Sequence, residues 1–156
     1  MKYKIFATAT ILLLVNLSSV YSQEKGQPKS KIQIHDPWIR PAAEGSNTAL
    51  FFVVENKSDK PDTIYAAEST LSEVVEVHEM FKKGDMMGMH EVEFVAVPAH
   101  SKVEFKPRDI HVMLIKTKKD IKLGEEGEAV LLFKNAGAIK VKATVRDMPK
   151  MNGMKH

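Results

Sequence analysis

Short apolar or alternating segments, each closed by turn-forming residues, recur along this chain from residue 31 onwards. Glycine, proline and polar residues separate them, and no segment has the sustained 3.6-residue apolar period of a long helix. The predicted strands cover residues 31–35, 47–55, 63–67, 74–80, 86–90 with a continuation over 92–95, 102–105, 110–116, 129–133 and 139–145. Pro37 is expected to end the first strand. The pattern predicts an all-β fold built as an antiparallel sandwich.

Histidine and methionine are concentrated between residues 78 and 113, in a chain that contains no cysteine. Ten residues separate His78 from Met89, twenty-one separate Met89 from His111, and one separates His111 from Met113. Side chains alternate between the two faces of a strand, so His78 shares a face with Met80, and His111 with Met113. The opposite faces carry apolar residues and are the predicted core side, so these polar and sulfur-bearing side chains are not needed to fill the core.

Thioether sulfur and imidazole nitrogen together favour a soft metal ion, and Cu(I) is the usual one. A site without a thiolate charge should favour Cu(I) over Cu(II). The absence of cysteine also excludes a blue-copper electron-transfer site, which requires a thiolate ligand. The open alternative is that the methionines fill gaps in the core and the histidines make ordinary hydrogen bonds.

The spacing His-x10-Met-x21-His-x-Met resembles that of the periplasmic copper chaperone family PCuAC, also called DUF461. The pattern maps without a gap onto His78, Met89, His111 and Met113. The resemblance extends over about residues 32–145. Further similar pieces are DPWIRP at residues 36–41, FFVVEN at 51–56 and VPAHSKVEFKP at 97–107.

This resemblance implies a cupredoxin-like antiparallel Greek-key β-sandwich that binds one Cu(I) ion through those four residues, with Met80 as an auxiliary ligand. It also implies delivery of copper toward the dinuclear centre of cytochrome c oxidase. The expected partner is a copper-acceptor protein, such as cytochrome c oxidase subunit II or another copper chaperone. Two departures stand out: Gly88 and His90 flank Met89 where the family often has a basic residue, and residues 107–109 replace a glycine-rich turn.

The first 22 residues are predicted to be a cleaved signal peptide, with Lys2 and Lys4 before an apolar run that is short for a membrane span. No cysteine lies at the predicted cut, so the diacyl lipoprotein route is closed. We therefore expect a periplasmic protein without stable membrane insertion after cleavage. The alternative is an uncleaved N-terminal anchor. Residues 23–30 are interpreted as a flexible leader before one domain at residues 31–146.

Removal of the predicted signal takes away two lysines and no acid, which lowers the formal net charge from +3 to +1, with 21 basic and 20 acidic residues. A nearly balanced surface argues against a nucleic acid as the partner. The protein is expected to be a monomer.

Several residues outside the motif carry open alternatives. Trp38 is interpreted as a packing residue, with an aromatic shield over the metal as the alternative. His35 and His100 are expected to be structural or solvated, and His90 is a weaker ligand candidate because it should point away from Met89. The segment 147–156 contains Met148, Met151, Met154 and His156. It is either a flexible end or a second copper-binding arm.

No enzyme signature is present: the chain has no G-x-S-x-G elbow, no glycine-rich phosphate loop and no H-E-x-x-H motif. The leading hypothesis is therefore a non-enzymatic Cu(I) carrier. The second is a buffering or resistance protein that sequesters copper without specific delivery. The third is an interaction sandwich whose methionines and histidines are incidental.

Overall fold

Residues 31–148 of the computed structural model are described here, and they fold into ten strands joined by turns. The strands are β1 (Ile32–Ile39), β2 (Thr48–Asn56), β3 (Asp62–Glu68), β4 (Ser72–Lys83), β5 (Met86–Glu91), β6 (Val95–Val97), β7 (Ser101–Phe105), β8 (His111–Thr117), β9 (Glu126–Phe133) and β10 (Gly137–Val145). No helix in this range is long and apolar enough to cross a bilayer. The predicted signal, the leader and the tail beyond Met148 lie outside the described residues.

The strands form one continuous sheet in the order β5-β4-β8-β2-β1-β10-β9-β3-β6, and β7 pairs with the second half of β2. β1 and β10 run parallel, and the other pairings are antiparallel. Contacts of β6 with β2 and β7 bring the far end of the sheet back toward its middle. The predicted all-β sandwich is confirmed, and β1–β10 is the one parallel pairing among the strands of residues 31–148.

The two faces of β8 separate the core from the motif. Val112 and Leu114 are fully buried in the main core. His111 and Met113 alternate with them and face the other side, as the period of a strand requires. There Met113 joins a second, smaller apolar cluster. The other buried members of that cluster are Trp38, Ala49 and Phe51.

β1 continues past Pro37, so the expected end of the first strand at that proline is wrong. The register of the β1–β2 pair shifts between His35 and Trp38, and Asp36 has a φ of +47° at this irregularity. A proline is tolerated at a bulge because no ladder hydrogen bond is required from its nitrogen there. Aspartate is one of the few residues that enter the left-handed region readily.

The expected continuation of the fifth strand over residues 92–95 is also wrong. The chain leaves β5 at Glu91, and Val92 makes one last hydrogen bond from its N–H to the carbonyl of Val77 at 2.8 Å. β6 then pairs with β3 at the opposite end of the sheet. Val95 and Val97 are buried in the main core, so burial of these two side chains outweighs continuation along the hairpin.

Candidate metal centre

The register of β4 against its two neighbours places the motif residues opposite one another. His78 on β4 lies directly across from His111 on β8, and Met80 lies across from Met89 on β5. Met113 is two positions further along β8, on the same face as His111. Opposed side chains on adjacent strands are close enough to contact each other. Strand pairing therefore assembles residues that are far apart in sequence.

A cavity of about 300 Å³ lies on this face of the sheet. Four of the five predicted donors are among the residues that line it: Met80, Met89, His111 and Met113. We call this space the site cavity. Its remaining lining residues are Arg40, Ala49, Phe51, Pro107, Arg108 and Met148. The fifth predicted donor, His78, stands beside it, with its ring centroid 6.2 Å from that of His111.

His111 is held in the form that binds a metal. Its side chain is buried, with 5% of its surface exposed, and its Nδ1 donates a hydrogen bond of 2.8 Å to the carbonyl of Asp109. A carbonyl can only accept, so Nε2 is the nitrogen left with a free lone pair. Burial lowers the pKa of His111 below its ordinary value of 6.5. Electrostatic interactions with His78 and Arg40 lower this pKa further, against the opposing effect of the Asp109 hydrogen bond.

His78 offers the opposite ring nitrogen. Its Nε2 donates a hydrogen bond of 2.8 Å to Oε2 of Glu76, which fixes the proton on that atom. Its Nδ1 is buried and has no hydrogen-bond partner among residues 31–148. A buried polar atom without a partner is costly, so its presence calls for an explanation. A lone pair kept free for a metal ion is one that fits this donor set.

The thioether donors range from buried to exposed. Met113 is packed within the small cluster, and Met80 is half-buried. Met89 is 47% exposed. The imidazoles and Met113 thus sit in fixed surroundings, whereas Met89 lies where a partner molecule could reach it.

Trp38 has the packing role predicted for it. It is almost completely buried in the small cluster, and its ring centroid lies 4.4 Å from that of Phe51. The Phe51 ring in turn lies 6.1 Å from the ring of His111. Trp38 is not among the residues that line the site cavity, so it supports the wall of the site from behind.

The other three histidines within residues 31–148 do not line the site cavity. Each has a carboxylate neighbour: His35 with Glu55 at 2.8 Å, His100 with Asp59 at 2.9 Å, and His90 with Glu79 at 4.0 Å. These contacts agree with the structural or solvated roles expected for His35 and His100. His90 faces Glu79 and Phe81, away from the cavity, as the alternation along β5 predicts.

The glycine before Met89 has a packing reason. A Cβ added at Gly88 would collide with the ring of Phe81, because that ring lies over the glycine from the opposite strand. A larger side chain at position 88 would therefore displace Phe81. Two basic residues, Arg40 and Arg108, line the cavity. Sequence reasoning had not placed Arg40 at the site, whereas Arg108 belongs to the turn at residues 107–109 already noted as a departure from the family pattern.

Sequence reasoning also missed the two acceptors that orient the imidazoles. Glu76 and Asp109 each lie two residues before the histidine that they contact. Hydrogen bonds of this kind fix the tautomer of a metal-ligating histidine and increase its basicity. The carboxylate of Glu76 two positions before His78 was an available signal, whereas the backbone carbonyl of Asp109 gives none because every residue has one. No group of three or more histidine, aspartate or glutamate side chains within residues 31–148 is arranged to hold a metal ion. The ligand roles of His78, Met89, His111, Met113 and Met80 stay predictions.

Comparison with known proteins agrees with this architecture. The LpqE-like family model matches residues 32–145. Lxx21020 of Leifsonia xyli subsp. xyli, whose name describes a lipoprotein, is 25% identical over 132 residues, covering 84% of this chain and 79% of its own length.

Two solved structures are similar in fold and sequence. The copper-bound PCuAC domain from PmoF2 has a TM-score of 0.64 and 28% identity, over 76% of this chain and 95% of its own. The solution structure of CuI-DR1885 from Deinococcus radiodurans has a TM-score of 0.57 and 26% identity, over 73% of this chain and 78% of its own. Their fold is the cupredoxin-like sandwich that the family resemblance implied, so the expected fold class is confirmed.

Proposed function

This chain belongs to the LpqE-like family and shares the fold of PCuAC domains, and from that premise we propose that it is an exported copper carrier. The proposed cargo is a single Cu(I) ion. The proposed ligands are His78, Met89, His111 and Met113, with Met80 as an auxiliary or substitute ligand. The protein is proposed to act without catalysing a reaction.

One observation carries this proposal: two imidazoles directly opposite each other each keep one nitrogen free, beside a cavity lined by thioethers. The free nitrogens are Nδ1 of His78 and Nε2 of His111. Neutral nitrogen and sulfur donors suit a soft monovalent ion and bind hard ions such as Mg²⁺ or Ca²⁺ poorly. That two copper-bound structures are among the relatives supports copper as the ion.

The neutral donor set also suggests how the ion would leave. A thiolate is softer than a thioether and charged, so a cysteine-bearing acceptor can replace the ligands one at a time while copper stays Cu(I). Met89 is the exposed donor of the proposed set, so exchange would begin there. The finer proposal, which rests on the family resemblance, places the protein in the periplasm and its copper on the way to the dinuclear centre of cytochrome c oxidase.

The test is an anaerobic Cu(I) titration of residues 23–156 against a chromophoric Cu(I) chelator. A variant with both Met89→Ala and His111→Ala is run beside the parent, and Met86→Ala serves as the control because Met86 is exposed and does not line the cavity. We expect one tight equivalent in the parent and the control, and its loss in the double variant. Retained tight binding in the double variant would move the site elsewhere.

Buffering without delivery is the second candidate function, and the methionine-rich end of the chain favours it. Met148, Met151 and Met154 lie within the last nine residues, and Met148 lines the site cavity. Mixing the copper-loaded protein with a cysteine-containing acceptor domain separates the two functions. Transfer of one equivalent supports the carrier. Several tightly held equivalents without transfer support buffering.

A further inference from the structure

We propose that Met148 is an additional thioether donor to the ion in the site cavity, and that Arg146 positions it there. This inference rests on the proposed copper site and extends it beyond the four-residue motif. Met148 follows the last strand and is far in sequence from β4 and β5. The cavity that Met148 lines is also lined by Met80, Met89, His111 and Met113.

Arg146 fixes the path of the chain as it leaves β10. Val145 is paired with Ile39 on β1, and the N–H of Arg146 donates to the carbonyl of Ile39 at 3.0 Å. The Nη2 of Arg146 donates to Oδ2 of Asp36 at 2.6 Å. Its guanidinium carbon lies 5.2 Å from the centre of the Trp38 ring, a cation–π distance. We call Arg146, Asp36 and Trp38 the clamp.

The clamp links the C-terminal segment to the wall of the site. Trp38 packs in the same small cluster as Met113, so the guanidinium rests on a residue that supports a proposed ligand. Asp36 lies at the irregularity of β1 with its positive φ, a backbone form that Asp adopts more readily than most residues. The clamp holds the chain two residues before Met148, which favours delivery of that side chain to the cavity.

The position of Met148 suits a donor that can be exchanged. It is 47% exposed, the same exposed fraction as Met89, whereas Met113 is buried. An ion held by interior donors and by two exposed thioethers can lose one exposed ligand to an incoming thiolate while the others retain it. Copper stays Cu(I) in this exchange: one Cu–thioether bond breaks and one Cu–thiolate bond forms.

Simple packing is the competing explanation, since methionine also fills gaps against apolar walls. Met148→Leu separates the two, because leucine keeps the side-chain volume and removes only the sulfur. Met86→Leu is the matched control, as Met86 is exposed at the start of β5 and does not line the cavity. A variant with Met151→Leu and Met154→Leu tests the rest of the methionine-rich end in the same full-length background.

The parent and all variants are prepared as residues 23–156, and two quantities are measured on each. Chelator competition gives the Cu(I) dissociation constant, and X-ray absorption spectroscopy gives the number of sulfur neighbours of copper. We expect Met148→Leu to weaken binding by about tenfold, the lower end of what loss of a supporting group costs a metal site. Its copper should have one sulfur neighbour fewer. Both controls should match the parent.

The clamp is tested by Asp36→Asn, which keeps a residue suited to the positive φ. It should weaken binding in the parent and add nothing once Met148 is leucine, because Arg146 acts through Met148. An equal loss in both backgrounds would overturn this positioning role.

The outcomes separate the inference from the function on which it rests. If Met148→Leu equals the parent in both measurements, or weakens binding with an unchanged sulfur count, Met148 is not a donor. If the parent itself binds no Cu(I), the proposed function falls and this inference falls with it.

Discussion

His78 and His111 lie directly opposite each other on β4 and β8, with ring centroids 6.2 Å apart and ring planes at 54°. Each ring has one nitrogen committed to an acceptor two residues earlier, the carboxylate of Glu76 or the carbonyl of Asp109. The committed atoms differ, Nε2 in His78 and Nδ1 in His111. The pair therefore keeps Nδ1 of one ring and Nε2 of the other free. Both the tautomer and the orientation of each ring are restricted, which adjacency of two histidines alone would not require.

Removal of the Glu76 carboxylate should weaken the proposed copper site. Glu76→Ala leaves Nε2 of His78 without its acceptor, so the ring can change tautomer and place a proton on Nδ1, the proposed ligand atom. Loss of such a supporting partner typically costs about 10- to 100-fold in metal affinity. Chelator competition measures the affinity, and nitrogen-15 chemical shifts of the ring report the tautomer in the copper-free protein.

Glu79→Ala is the control for this experiment, because Glu79 is also on β4 but neighbours His90 instead. It should leave both the affinity and the His78 shifts unchanged. An unaltered tautomer and affinity in Glu76→Ala would show that the carboxylate does not orient the ring.

The His111 imidazole should remain available to a metal ion in mildly acidic conditions. Burial is the main cause of the lowered pKa of His111, so its imidazole stays neutral somewhat below the ordinary value of 6.5. Because the unfolded chain binds this proton more readily, stability is retained above pH 6.5 and falls as the pH decreases below it. NMR titration of the copper-free protein measures the pKa of His111 directly.

Arg40 adds a positive charge near the same ring, so Arg40→Gln should raise the pKa of His111 toward 6.5. Chelator competition at a series of pH values should then show the Cu(I) affinity of this variant declining at a higher pH than that of the parent. A midpoint for His111 above 6.5 in the parent would contradict the argument.

Local sequence patterns predict most of the strands. Alternation along β8 is enough to assign Val112 and Leu114 to the core and His111 to the opposite face. Alternation predicts which face of the strand each side chain occupies, because the period of two is a local property of an extended chain. The motif spacing itself could be matched to a family pattern without knowledge of any contact.

Long-range pairing explains what the patterns missed. Pro37 was expected to end a strand, yet β1 continues because its partners β2 and β10 hold it on both sides of the irregularity. Val95 lies in β6, paired with β3, and not in a continuation of β5, because its side chain is buried in the core there. The hydrogen bond between Arg146 and Asp36 joins residues 110 positions apart. A contact over that separation cannot be predicted from the local periodicity of the sequence.

The Phe81 ring should limit the size of the side chain that position 88 can accept. Gly88→Ala places a methyl group against the Phe81 ring, and overpacking of this kind typically costs about 1–3 kcal/mol. The partly exposed ring can yield, so the low end is expected. In a Phe81→Ala background the same change should cost much less, and chemical denaturation of the four proteins in a double-mutant cycle gives the coupling. Equal costs in both backgrounds would show that the ring does not occupy that space.

Core stability and copper binding should be separable, although they share β8. Leu114 is fully buried beside Met113, so Leu114→Ala should cost about 2–5 kcal/mol in denaturant unfolding. Leu123→Ala is the control, since Leu123 is 57% exposed and such surface changes usually stay within about 0.5 kcal/mol.

A ligand that binds only the folded state stabilises it by an amount set by its concentration and dissociation constant. Cu(I) should therefore stabilise Leu114→Ala as much as the parent, and should leave the Met89→Ala, His111→Ala double variant unchanged. A smaller gain in Leu114→Ala would mean that the core side of β8 also shapes the metal-binding side.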